Sequence, residues 1–163
     1  LKAEFKAQYA INQRPGEPGV AIGRYPEDSY FGGNPCALLT AAFAQLDYMA
    51  GSEYLRQGTI PVEAEDLAFF RDLLPDQADK DALRAGLTLN AGDPLFDKVI
   101  AGLKTSGDSF MAEVRAHANP DGSLSEQIDK NSGVMTSAKD LTWNYASILS
   151  ALQARDDFLK TLP

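Results

Sequence analysis

The chain is poor in the residues that carry most soft-ligand and redox chemistry: one cysteine, one histidine and one tryptophan in 163 residues. Cys36 alone permits no internal disulfide, and a solitary thiol leaves the redox compartment unread. With His117 as the sole imidazole, the sequence argues against a nitrogen/sulfur metal site, which wants three or four such ligands. No apolar run approaches the roughly 20 residues of a membrane span, and no Asn-X-Ser/Thr acceptor for N-glycosylation occurs. Positive charge is also scarce. Fifteen Lys and Arg face 23 Asp and Glu, a formal charge of −8, which repels nucleic acid and anionic membrane surfaces and suits a neutral partner. No secretory leader is visible, and the first residue is Leu1 rather than Met, which reads as a processed product or an excised fragment.

What is present is a globular composition, 44% hydrophobic and 23% charged, in a length that suits one domain with its own core. Apolar residues recur at three- and four-residue steps, so the sequence predicts principal helices near 35–55, 65–74, 94–116 and 137–157, with a short one over Leu1, Phe5 and Tyr9. The stripes expected to face the core are Leu38, Leu39, Ala42, Phe43, Leu46, Met49 and Ala50 in the first long helix. Leu95, Phe96, Val99, Ile100, Leu103, Phe110, Met111 and Val114 form that of the third, and Leu141, Tyr145, Ile148, Leu149 and Leu152 that of the last. Asn34 before Pro35 and Asp93 before Pro94 read as helix caps. Residues 76–92 read as a surface excursion. No alternating strand pattern, repeat or low-complexity tract stands out, so the fold class predicted is all-α, built from helical hairpins.

Two stretches carry chemistry. Residues 121–145 place Glu126 in a polar, Gly-containing loop ahead of a helix bearing Trp143. A carboxylate beside an aromatic face suits a sugar, yet Ser123-Leu-Ser-Glu126 equally fits a helix capping box. Arg24-Tyr-Pro-Glu-Asp28 gathers a guanidinium and two carboxylates around Pro26. A surface ion pair explains it as well as polyol recognition by a planar donor fork does. His117, near the end of the third long helix, reads as a partner of the helix dipole.

Gly122-Ser-Leu-Ser-Glu-Gln-Ile-Asp with Ala138-Lys-Asp-Leu-Thr-Trp-Asn-Tyr-Ala-Ser resembles the general-base loop and last barrel helix of the glucoamylases, glycoside hydrolase family 15. Val20-Ala-Ile-Gly-Arg-Tyr-Pro-Glu-Asp-Ser-Tyr, followed by Gly33-Asn-Pro, resembles a substrate-binding loop of the same family, in the same order. The resemblance implies that residues 1–163 are the C-terminal portion of an (α/α)6 barrel, or toroid, that releases glucose from the non-reducing ends of starch and maltooligosaccharides with inversion. It implies Glu126 as general base, Arg24 and Asp28 as hydrogen-bonding partners of sugar hydroxyls, Gln127 as a partner of the base and Trp143 as the aromatic beside it. It further implies a secreted protein with no cofactor and no metal, with neither nucleic acid nor membrane as partner.

Two departures stand against it. Cys36 occupies a position where the family usually has a tryptophan on the leaving-group side, and no Asp-Leu-Trp-Glu-Glu-type segment supplies a general acid. The remaining N-terminal part of the barrel would then have to come from elsewhere. The alternative reading is a non-catalytic helical module that binds carbohydrate or regulates, keeping Arg24, Asp28 and Trp143 without using a base.

Overall fold

The computed structural model describes residues 1–162. Its frame is three long helices: α2 (Ala37–Gln57), α5 (Pro94–His117) and α6 (Thr142–Thr161), with α2 packed against both of the others. Shorter helices α1 (Lys2–Gln8), α3 (Leu67–Asp72) and α4 (Gln77–Ala82) complete a mainly helical architecture, as the apolar spacing predicts. Two strand pairs are additions that the spacing did not disclose. β1 (Thr59–Val62) pairs antiparallel with β2 (Leu87–Asn90), and β3 (Ser125–Ile128) with β4 (Met135–Lys139). Each strand is only four or five residues long, too short for alternation to be told from chance. The stretch 76–92 is therefore α4 and β2 rather than an excursion. The last helix begins at Thr142 instead of 137 because residues 135–139 are committed to β4.

The long helices approach one another through small residues. On α2 the buried face is Ala37, Thr40, Ala41, Ala44, Asp47, Tyr48 and Gly51, whereas Leu46 and Met49, expected inside, are exposed. On α6 the buried residues are Asn144, Ala151 and Phe158, and Leu149 and Leu152 point outward. Close approach selects small side chains at the contact and leaves the large ones on the flanks. A Cβ at Gly107 would lie 2.5 Å from the Tyr48 ring, and one at Gly51 would lie 2.8 Å from Phe158. The two glycines lower helix propensity by about 1 kcal/mol each and in return let the axes close. For α5 the predicted stripe holds at Phe96, Val99, Ile100, Leu103, Phe110 and Val114.

Asp47 is the anomaly of this interface. It is 5% exposed, its Oδ2 has no hydrogen-bond partner, and burial pushes its pKa up to about 6 against the lowering effects of Ser106 and Lys2. The folded value lies above the ordinary 3.8, so the contribution of this one group is greatest at low pH and is lost as the pH rises through about 6. Asp47→Asn removes that loss. The interval from 3.8 to about 6, at about 1.36 kcal/mol per pH unit, predicts that the variant is more stable than wild type by about 3 kcal/mol at pH 8. Urea denaturation at pH 5 and pH 8 should show the advantage shrinking at the lower pH.

Candidate active site

Residues 20–36 are threaded along the frame by two buried side chains. Asn12 donates to the carbonyls of Phe5 and Ala21 and accepts from Ala21 N–H, which satisfies the backbone of an extended segment on one side. Thr40 Oγ1 accepts from Ile22 N–H and donates to Cys36 O, and Cys36 N–H donates back to Ile22 O. Val20, Ala21 and Ile22 are consequently buried. Gly23 follows, with the Tyr9 hydroxyl packed where its Cβ would stand. Arg24 is then delivered to the surface.

Arg24 and Asp28 pair bidentately, Nε to Oδ2 and Nη2 to Oδ1, each at 2.7 Å. Asp28 Oδ1 also accepts from Tyr30 N–H. The Asp28 side chain is 3% exposed and that of Arg24 is 46% exposed, so the carboxylate serves as a buried anchor and the guanidinium as the presented group. These contacts, the Arg24 hydrogen bond foremost, lower the Asp28 pKa. The guanidinium also lies over the Tyr30 ring, 4.7 Å from its centroid. Thus the ion-pair reading and a presented donor fork coexist in one arrangement.

Glu126 sits on β3, not in a helix-leading loop. Ser125 pairs with Lys139 and Gln127 with Thr136, so Ser137 and Ala138 together face Glu126, and the bulge lies on β4 opposite the carboxylate. The capping-box reading fails with the helix it required. Ser123 Oγ donates to Asp121, while Glu126 Oε2 accepts from Ser137 Oγ at 2.5 Å. Ser137 itself has φ 70°, a left-handed conformation that costs a non-glycine residue roughly 1–2 kcal/mol.

The Arg24 and Glu126 segments meet through the stretch between Phe31 and Cys36. Asn34 is not a helix cap. Its Nδ2 donates to Gln127 Oε1 at 3.1 Å and its Oδ1 accepts from Lys130 N–H. Ile128 N–H donates to Pro35 O at 2.9 Å, and Lys130 Nζ to Gly32 O. Helix α2 starts one residue after Cys36. The Cys36 thiol is pushed up in pKa by burial, with Glu126 and Asp28 raising it further while Leu39 N–H and Arg24 lower it. The thiol therefore lies within the fields of Arg24, Asp28 and Glu126 together. Tyr9, buried beneath, is pushed up to about 12 by burial, then by Asp28 and Cys36.

Of the residues singled out from sequence, Arg24, Asp28, Glu126 and Gln127 are thus joined at one end of the fold, with Gln127 engaged by Asn34 rather than by the base. Trp143 stands half-exposed at the start of α6, where its neighbour Asn144 donates to Ser125 O. Sequence reasoning missed Ser137 as the partner of Glu126. The turn signal Asn131-Ser132-Gly133, eleven residues of hairpin, was the available clue. Asn34 as the bridge and the buried Glu113–His117 pair were also missed. Glu17, Glu113 and His117 bring ligand-type atoms within 4.8 Å of one another. Both ring nitrogens and both Glu113 oxygens are already engaged in hydrogen bonds, so the cluster is closed on itself.

The solved glycoside hydrolase family 15 glucoamylase of Hypocrea jecorina superposes with a TM-score of 0.84 at 39% identity, over 95% of this chain and 25% of that one. The glucoamylase of Saccharomycopsis fibuligera superposes at 0.87 and 32% identity, over 99% and 35%. Residues 1–153 match the family model described as glycosyl hydrolases family 15, and the chain belongs to that family. Glucoamylase P of Amorphotheca resinae is 37% identical over 95% of this chain and 24% of its own length, and a Neurospora crassa glucoamylase is 41% identical over 83% and 21%. The chain spans about a quarter of the length of these curated relatives.

The single thiol offers a direct check on the electrostatics. Because Glu126 raises the Cys36 pKa and Arg24 lowers it, Glu126→Gln should speed alkylation of Cys36 by iodoacetamide at pH 8, and Arg24→Gln should slow it. Equal rates in all three proteins would separate the two loops.

Proposed function

We propose that this chain is the C-terminal part of the catalytic domain of a glucoamylase, a glucan 1,4-α-glucosidase that removes glucose from the non-reducing ends of starch and maltooligosaccharides. The observation that carries this reading is the joining of the Glu126 hairpin to the Arg24–Asp28 loop through Asn34 and Pro35, in a chain of this family. Glu126 is the general base. It faces the bulge of β4, from which the Ser137 hydroxyl holds one oxygen while the other is left to accept a proton from water. Arg24, oriented by Asp28, presents its remaining N–H groups to sugar hydroxyls. Trp143 offers a face for the ring beside the base. Gln127 contributes indirectly by fixing Asn34.

Inversion requires a carboxylic acid opposite the base to protonate the departing oxygen. In this reading that acid, and the helices that close the (α/α)6 toroid, lie outside residues 1–163, and the parent is secreted. Neither metal nor organic cofactor enters the mechanism. Leu46 and Met49 on α2 and Leu149 and Leu152 on α6, apolar and exposed, are side chains that further helices of such a barrel would cover.

A base without its opposed acid activates water but does nothing for the leaving group, and each kind of proton-transfer assistance is worth about 10²- to 10⁴-fold. The 163-residue chain alone should therefore release negligible glucose from maltooligosaccharides. In the complete enzyme Glu126→Gln should bind maltose nearly as wild type does while turnover falls by about 10²-fold or more, since an amide does not take the proton of water. Near-normal glucose release by that variant would sink the assignment. Maltose binding by a complete protein that lacks turnover altogether would point to the binding-module alternative.

A further inference from the structure

We propose that the Glu113–His117 couple is a proton-controlled clamp that holds the Glu126 hairpin against the segment leading to Arg24. It is engaged while both ring nitrogens of His117 carry protons and released when one is lost. His117 is thereby a positioning residue, set behind the candidate site. Its catalytic weight rests on the reading of Glu126 as the base; its geometry does not.

Glu113 is fully buried and His117 nearly so. His117 Nε2 lies 3.0 Å from Glu113 Oε1, and Nδ1 lies 2.9 Å from the carbonyl of Gly133. Both partners are acceptors. A neutral imidazole has one N–H and would turn a lone pair toward one of them, whereas the imidazolium donates to both. Glu113 Oε2 meanwhile accepts from Gly19 N–H at 3.1 Å. One couple therefore ties together the loop before Val20, the C-terminal turn of α5 and the turn between β3 and β4. Gly133 is in the left-handed region, and a Cβ there would lie 2.8 Å from His117 Cε1, so the ring rests directly on the turn.

The charges around the imidazole favour the cation. Glu113 faces it from its own helix and Glu17 from the 14–19 loop. Arg14, on that loop, is 4.0 Å from Glu17 and donates to Asn131 O. In the turn, Asp129 is occupied by Asn131, Ser132 N–H and the Ser132 hydroxyl, and Lys130 reaches away to Gly32 O. In keeping with this, the His117 pKa is raised, by Glu113 first and then by the Gly133 carbonyl and Glu17, against the opposing effect of burial. A raised folded value means the contribution is complete below the ordinary 6.5 and is lost as the pH rises through the raised one. The released turn is continuous with Gln127 and Ile128, which hold Asn34 and Pro35, so slack there passes to both arms of the site.

Because His117 is the only histidine, one ring resonance reports the proton in a ¹⁵N-labelled sample of the 163-residue chain. The expected result is a midpoint above that of a free histidine, with the amides of Gly19, Gly133, Glu126 and Ser137 shifting at the same midpoint. Glu113→Gln should move every one of these midpoints to lower pH. A ring that titrates at the ordinary value, or that stays neutral throughout, overturns the clamp. Linked shifts at Gly19 and Gly133 with Glu126 and Ser137 unmoved would make the couple merely structural and overturn the positioning role. The wild-type titration needs no variant to fold, and normal turnover in Glu126→Gln would refute the base without touching this result.

Discussion

The candidate site exists because one short stretch, Asn34-Pro35, lies along the edge of β3. Three hydrogen bonds across more than ninety residues of chain join it to Gln127, Ile128 and Lys130. Each satisfies a polar group that would otherwise be stranded between a helix start and a strand edge, and leaving such groups unpaired would cost about 1–3 kcal/mol each. Everything chemical hangs from that seam: the arginine loop before it, the thiol after it and the carboxylate strand across it.

The frame behind the seam obeys a different constraint. Two glycines and a run of alanines allow α2, α5 and α6 to approach so closely that Tyr48 and Phe158 fill the space. Tyr48 O–H donates to Asp108, which also receives Arg155 and Lys104. Partial burial opposes ionisation of that carboxyl, yet its three donors hold it down at about 2. A charged knot at the rim and small residues in the middle thus replace the large apolar interlock that most helix pairs use.

Much of this was readable from the residues. The helices at 37–57 and 94–117 follow from apolar spacing and Pro94, and two motifs in order identified the family. What escaped did so for physical reasons. β3 and β4 are too short for alternation to register, and Ser137 reaches Glu126 only because a turn folds eleven residues back. The expected α2 stripe holds in part, Leu39, Phe43 and Ala50 packing against the core, while Leu46 and Met49 are exposed because hydrophobic size, which periodicity weighs, is not what a close helix contact selects. Asn34 has the chemistry of a cap, and only the partner strand revealed its actual acceptors. His117 was taken for a dipole partner, since the buried Glu113 one turn earlier looks like any helix-surface charge until its neighbours are in place.

The exposure of the apolar side chains Leu46, Met49, Leu149 and Leu152 has a colloidal consequence. The chain carries these side chains on a molecule of formal charge −8, and mutual repulsion between two such molecules opposes apolar contact between them in dilute buffer. That repulsion reaches about 10 Å at 0.1 M salt but only about 3 Å at 1 M, while the attraction between apolar surfaces does not weaken. Added salt therefore lowers the electrostatic barrier to contact between these side chains and leaves their apolar attraction in place.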